Sequence, residues 1–228
     1  VAVANASPFR LRPISRSLMR KTLPMTLPDG FTDIPPGKIA AIATILECRC
    51  APSGEPAPAA SPNWRFERVD RPELGWYVAL LRKVGTAHLW YQRLSLGDAA
   101  IAAKIGNEAT VIHVLFDGDT PMGLAELDLS EPGSAELVYF GVVSDLVGTG
   151  AARFMMDRLL RFAFGLDIDR LWLHTNTIDH PKAMGFYRRA GFSPVRQMLE
   201  LADDPRLLGL FDRESAPQVP IFEPNGRD

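Results

Sequence analysis

Two glycines one residue apart, Gly148 and Gly150, stand where an apolar run, Ala135 to Val143, gives way to an amphipathic repeat beginning at Ala151. Glycines at a strand-to-helix turn let backbone N–H groups converge on an anion at the positive end of the helix dipole. The segment therefore suits a phosphate, and it suits equally a bare turn. Two phosphate loops do not fit: a dinucleotide fingerprint wants a third glycine where Arg153 stands, and a nucleotide-triphosphate loop wants Gly-Lys-Ser/Thr, which is absent. Other polar residues sit at suggestive places. Asn176 lies at a strand end, where it either binds a ligand or caps a loop, and His180 precedes Pro181 at a helix start. Glu126 and Asp128 face either a cationic partner or, by default, solvent. Cys48 and Cys50 would share one face of an extended strand. Two thiols are half a zinc site, and no second ligand pair follows, so they read as reduced thiols without disulfide or metal.

The elements that position these residues follow from periodicity. Lys38 to Arg49, rich in Ile, Ala and Thr and bounded by prolines, reads as a strand at the edge of something larger. Pro52, Pro56, Pro58 and Pro62 make the next stretch a surface linker, and the folded core is expected to begin near Trp64. Arg65 to Val69 is a short strand. Helices are predicted from Pro72 to Lys83 and from Leu96 to Ile105. Val111 to Phe116 and Met122 to Leu129 form a hairpin across Asp117-Gly118-Asp119-Thr120-Pro121. Ala135 to Val143 is a third strand, with Glu136 placed on the same face as Val138, Phe140 and Val142. Ala151 to Phe164 is a helix with Arg153, Asp157 and Arg161 on its polar stripe. Strands at Arg170 to Thr175 and Ser193 to Leu201 flank a helix from Pro181 to Ala190. A meander followed by two strand–helix alternations gives an α+β, or mixed α/β, fold with helices on one sheet.

Composition narrows the function. Hydrophobic residues at 46% and charged residues at 23% are the balance of a globular chain and exclude wholesale disorder. A net charge of -2 is too close to neutral for the whole molecule to bind a polyanion, so no nucleic acid is expected. The strongest apolar run, Ile39 to Leu46, is far shorter than the roughly 20 residues of a membrane span. Residues 1–28 carry five basic residues and no acid, leaving -7 on the rest, and read as a disordered or mis-annotated leader. Without a secretory signal or a disulfide framework, the expected location is cytoplasmic.

Two motifs in order carry a resemblance. Val147-Gly148-Thr149-Gly150-Ala151-Ala152 is similar to the pyrophosphate loop, Arg/Gln-x-x-Gly-x-Gly/Ala, of the GNAT superfamily of acyl-CoA-dependent N-acetyltransferases. His180 through Phe192 resembles its closing helix, Asn-x-x-Ala-x-x-x-Tyr-x-x-x-Gly-Phe. Val147 and His180 depart from the pattern. The stretch Leu173 to Pro181 looks like that of an uncharacterised bacterial subgroup. The resemblance implies a mostly antiparallel central sheet flanked by helices and splayed at the cofactor site, within residues 64–201. A strand and Pro-rich linker at 29–63 precede it, and an extension at 202–228 follows. It also implies acetyl-CoA as co-substrate, with Phe140, Val142 and Val143 on the pantetheine strand and Gly148, Thr149, Gly150, Ala151 and Ala152 at the pyrophosphate. Asn176 and His180 would complete the cofactor site. Glu136 matches the segment that holds the general base in the superfamily's histone acetyltransferases, and Tyr187 the position of the thiol-protonating tyrosine. A carboxylate and a phenol suit the two proton transfers of thioester aminolysis. The implied activity is transfer to a primary amine of a small molecule or peptide, by direct attack and without a metal. Trp76, Tyr77, Trp90 and Tyr91 fall in the acceptor region, and a homodimer is compatible with the resemblance. The rival reading is a catalytically silent acyl-CoA-binding module.

Overall fold

The computed structural model describes Leu27 and residues 29–223. The chain divides into two units, residues 1–34 and 35–228. The described residues of the first are exposed and form no helix or strand, and the rest of the basic leader lies outside the described residues. The second unit is one seven-stranded sheet with helices on both faces.

Its elements in chain order are β1 (Lys38–Cys48), β2 (Trp64–Arg68), α1 (Leu74–Gly85), α2 (Asp98–Ile105), β3 (Thr110–Asp117), β4 (Thr120–Glu131), β5 (Gly133–Val142), α3 (Ala151–Ala163), β6 (Ile168–Asn176), α4 (Ala183–Arg189) and β7 (Ser193–Asp203). The strand order is β2-β3-β4-β5-β6-β1-β7, with β5 and β6 parallel and every other neighbour antiparallel. One expectation is corrected here. β1 is not an edge strand: it pairs with β6 on one side and β7 on the other. Ile39, Ala41 and Leu46 enter the core, which therefore starts well before Trp64. A strand hydrogen-bonded on both sides and covered reads as an apolar run, as Ile39 to Leu46 does.

Helix chemistry is local. Glu73 caps α1, accepting from the backbone of Gly75 and Trp76 at 2.7 Å each. α3 buries Phe154, Met155, Met156, Leu159, Leu160 and Ala163, while Asp157 and Arg161 pair one turn apart on its outer face at 3.0 Å. Arg158 and Arg161 also hold the proline-rich linker through the carbonyls of Ala57 and Gly54. Beyond β7, Arg206 is buried against Asp204 and donates to the carbonyls of Ser215, Ala216 and Val219, which fixes the C-terminal extension. Cys48 is buried, and Cys50 is exposed past the end of β1.

Two irregularities shape the site. β5 and β6 pair only from Gly133 to Glu136, whereas β5 runs on to Val142 and β6 to Asn176, so the sheet splays open above Glu136. β5 also carries a bulge at Val138, because Glu126 opposes Tyr139 and Leu127 opposes Leu137. The extra residue reverses the alternation. Glu136 shares its face with Tyr139, Glu126 and Asp128, and Phe140 and Val142 turn to the other face. The expected common face of Glu136 with Phe140 and Val142 is thereby overturned.

Candidate active site

A cavity of about 330 Å³ occupies the splay, walled by β5 from Leu137 to Val142, the loop Leu146 to Gly150, the start of α3, the ends of β6 and α4, the segment His88 to Gln92, and Glu200 of β7. At its α3 end, Gly148 and Gly150 have φ of +84° and +95°, the left-handed region that glycine enters without strain. A Cβ at either would meet nothing within 4 Å, so their conformation and not crowding calls for glycine. Gly150 caps α3 without a side-chain hydrogen bond. Ala151 N–H is shared with Thr149 Oγ1 at 3.4 Å, leaving Ala152 and Arg153 as the first-turn donors beside the cavity. The helix terminus, the open loop and a cation in the wall fit a diphosphate. Arg153, Lys182 and Arg189 all line the cavity, and none forms an ion pair among the described residues. Val147, exposed, lines it too.

Along β5, Val143 donates its N–H to Met122 at 2.9 Å. By the alternation of an antiparallel ladder, Phe140 and Val142 turn their N–H and C=O groups away from β4, into the splay. They line the cavity and Val143 does not. Of the other residues named from the sequence, Gly148, Gly150, Ala152, Asn176, His180 and Tyr187 form part of the wall, whereas Thr149, Ala151 and Glu136 stand behind it. Thr149 donates to Leu146 O at 2.8 Å and shapes the loop from within. Asn176 does both things its type allows: its carbonyl accepts from the backbone of Ile178 at 2.9 Å and its amide donates to Glu200 at 3.0 Å. His180 accepts from Lys182 N–H at 3.1 Å.

Tyr187 is buried among Phe140, Phe186 and Phe192, ring to ring, and burial pushes its phenol well above 10. Tyr187 nevertheless forms part of the cavity wall. Glu136 sits at the last paired step of β5, its side chain 20% exposed. Burial, then the charge of Asp128, pushes its carboxyl up to about 7. His174 Nδ1, without a hydrogen-bond partner, lies 4.0 Å from it, and His174 lines the cavity.

Glu126 is not solvated. It is fully buried, taking Tyr77 and Arg93 as partners, and Arg93 N–H also holds Tyr139 Oη at 3.1 Å. Asp128 pairs with Lys104 at 2.5 Å. Trp90 packs on Tyr139 with ring centroids 5.2 Å apart and joins Tyr91 in the wall, while Tyr77 lies beneath it and Trp76 packs against the core. Sequence reasoning missed His174, Arg153, Lys182, Arg189 and Glu200. Among the described residues no group of three or more His, Cys, Asp or Glu is arranged to hold a metal, and no helix is long and apolar enough to cross a membrane.

Residues 46–192, more than half of the chain, match the model of the Acetyltransferase (GNAT) family, and the chain belongs to that family. Among solved structures it is similar to a tandem GNAT protein from the clavulanic acid biosynthesis pathway (12% identity, TM-score 0.53, covering 71% of this chain and 53% of that one). It is also similar to a functionally unknown conserved protein from Staphylococcus epidermidis ATCC 12228 (12% identity, TM-score 0.51, covering 74% and 64%). This chain thus spans less than two-thirds of the length of either, and the likeness is one of fold. No curated protein matches the chain in sequence.

Proposed function

We propose that the protein is an acetyl-CoA-dependent N-acetyltransferase that passes the acyl group to a primary amine, of a small molecule or peptide, by direct attack in a ternary complex. The observation that carries this is the cavity in the splay, whose wall brings together the first turn of α3, Tyr187 and His174, with Glu136 4.0 Å behind His174. When bound, the thioester supplies an activated acyl group and a sulfur leaving group. The N–H groups of Ala152 and Arg153 bind the diphosphate, and Arg153, Lys182 and Arg189 supply the cations that Val147 does not. Phe140 and Val142 pair their backbone with the pantetheine amides, extending the half-open sheet. Glu136, near neutrality in its proton affinity, receives the amine's proton by way of His174 or a water, since it stands behind the wall. Tyr187 donates to the departing sulfur. A thiol-release assay over a panel of amines, run beside calorimetric titration of acetyl-CoA, tests the proposal. Acetyl-CoA binding with turnover of an amine supports it. Binding without turnover on any amine assigns the silent module instead, and no binding refutes both.

A further inference from the structure

Glu200 breaks the pattern of its strand. β7 carries Val195, Leu199 and Leu201, which an alternating reading sends to the core, yet they are 54%, 44% and 48% exposed. The polar residue between the last two faces inward: Glu200 opposes buried Ala41 of β1, whereas Leu199 opposes exposed Ile42. Its carboxylate lines the cavity. Three neutral donors from two distant segments fix it there: Tyr91 Oη at 3.1 Å and Gln92 Nε2 at 3.3 Å on one oxygen, Asn176 Nδ2 at 3.0 Å on the other. Among the described residues no Lys or Arg forms an ion pair with it. Asp179, the other carboxylate in the wall, is occupied differently, since it closes the turn after β6 by accepting from Thr175 Oγ1 and Asn176 N–H. An ionised carboxylate offers about four acceptor positions, so Glu200 keeps one for a ligand. These three donors are neutral, so they fix its geometry without supplying a countercharge. Glu200 also lies outside the span that matches the family model.

We propose that Glu200 is the specificity-determining anchor for a cationic acceptor, an aliphatic ammonium, held in place by Tyr91, Gln92 and Asn176. The inference rests on the proposed acetyltransferase function and names its substrate class: amines protonated at neutral pH, in preference to neutral amines or alcohols of the same shape. A pocket that supplies a fixed charge discriminates strongly against an isostere lacking the opposite one.

The test uses the full chain saturated with CoA and two probes matched in shape, 1,6-diaminohexane and 1,6-hexanediol, titrated by calorimetry or ligand-observed NMR at pH 7.5. The expected result is that the diamine binds at least tenfold more tightly than the diol. Glu200→Gln, nearly isosteric, should erase that preference and leave acetyl-CoA affinity within twofold, and Glu200→Asp should restore part of it. In turnover with a diamine accepted by the wild type, one nitrogen anchored as the ammonium and the other attacking, Glu200→Gln should raise KM by tenfold or more with kcat changed little. Equal binding of the two probes by the wild type, or an undiminished preference in Glu200→Gln, overturns this inference alone when acetyl-CoA still binds. Failure of the wild type to bind acetyl-CoA overturns the function beneath it as well.

Discussion

Replacing Glu136 by Gln should move stability and activity in opposite directions. In the folded chain this carboxyl keeps its proton up to about pH 7, because burial and the neighbouring charge of Asp128 disfavour ionisation; in the unfolded chain it loses it near 4.5. Between those values the native state binds more protons, so the contribution is fully present below pH 4.5 and is lost as pH rises through 7. The gap corresponds to about 3 kcal/mol. Glutamine does not titrate, so the comparison isolates this carboxyl together with its coupling to Asp128. The Tm of Glu136→Gln should therefore gain on that of the wild type by roughly 6–12 °C between pH 4.5 and pH 8, for a chain of this size. Turnover at pH 7.5 should fall about 10²- to 10⁴-fold, the span of general-base effects, and recover in part above about pH 9, where an amine of pKa near 10 deprotonates itself. Thermal melts at the two pH values and a thiol-release pH profile read both effects. A Tm difference independent of pH would refute the burial argument, and wild-type turnover with an unchanged profile would remove Glu136 from the reaction.

Tyr187→Phe should keep the fold and acetyl-CoA affinity and lower kcat by about 10- to 10⁴-fold; unaltered kcat would leave Tyr187 as core packing alone. Gly150→Asp places a side chain at φ +95° and an anion at the α3 terminus, so calorimetry should find acetyl-CoA affinity reduced at least tenfold in a folded variant, while Val147→Arg should bind as tightly or more tightly. Arg206→Met leaves Asp204 buried without its cation and should cost about 3–5 kcal/mol in denaturant unfolding. Adding Asp204→Asn should return part of that, and additive losses would contradict the pairing.

Much of this architecture was legible in the sequence because periodicity and caps are local. The hairpin turn at Gly118, the amphipathic face of α3 and the glycine turn before it all lie within a few residues of the features that announce them. What escaped was set by distant partners. β1 looked peripheral because prolines bound it, and only its pairing with β6 and β7 makes it interior. The face of Glu136 was misjudged because a bulge at Val138 leaves no mark in a run of apolar residues, and one inserted residue exchanges the two faces. Glu126 passed for a surface acid until Arg93 and Tyr77, from a loop and a helix, arrived beside it. β7 inverts the usual pattern, so its alternation pointed Glu200 away from the cavity it lines.

The interior place of β1 bears on how the chain is made. Its partners lie far downstream: Ala43 waits for Asn176 and Lys38 for Asp203. At synthesis rates of about 5–20 residues per second, that interval lasts roughly 7–35 s. During it the Ile39 to Leu46 segment has neither neighbour, and β2 to β5 can assemble as a meander without it. Completion of this sheet is thus a late event of high contact order, governed by β6 and β7, the latest of its strands in chain order. Premature termination after Phe192 would remove β7, the edge strand beside β1. It would turn β1 into a new open edge, presenting an apolar strand to any unpaired backbone nearby.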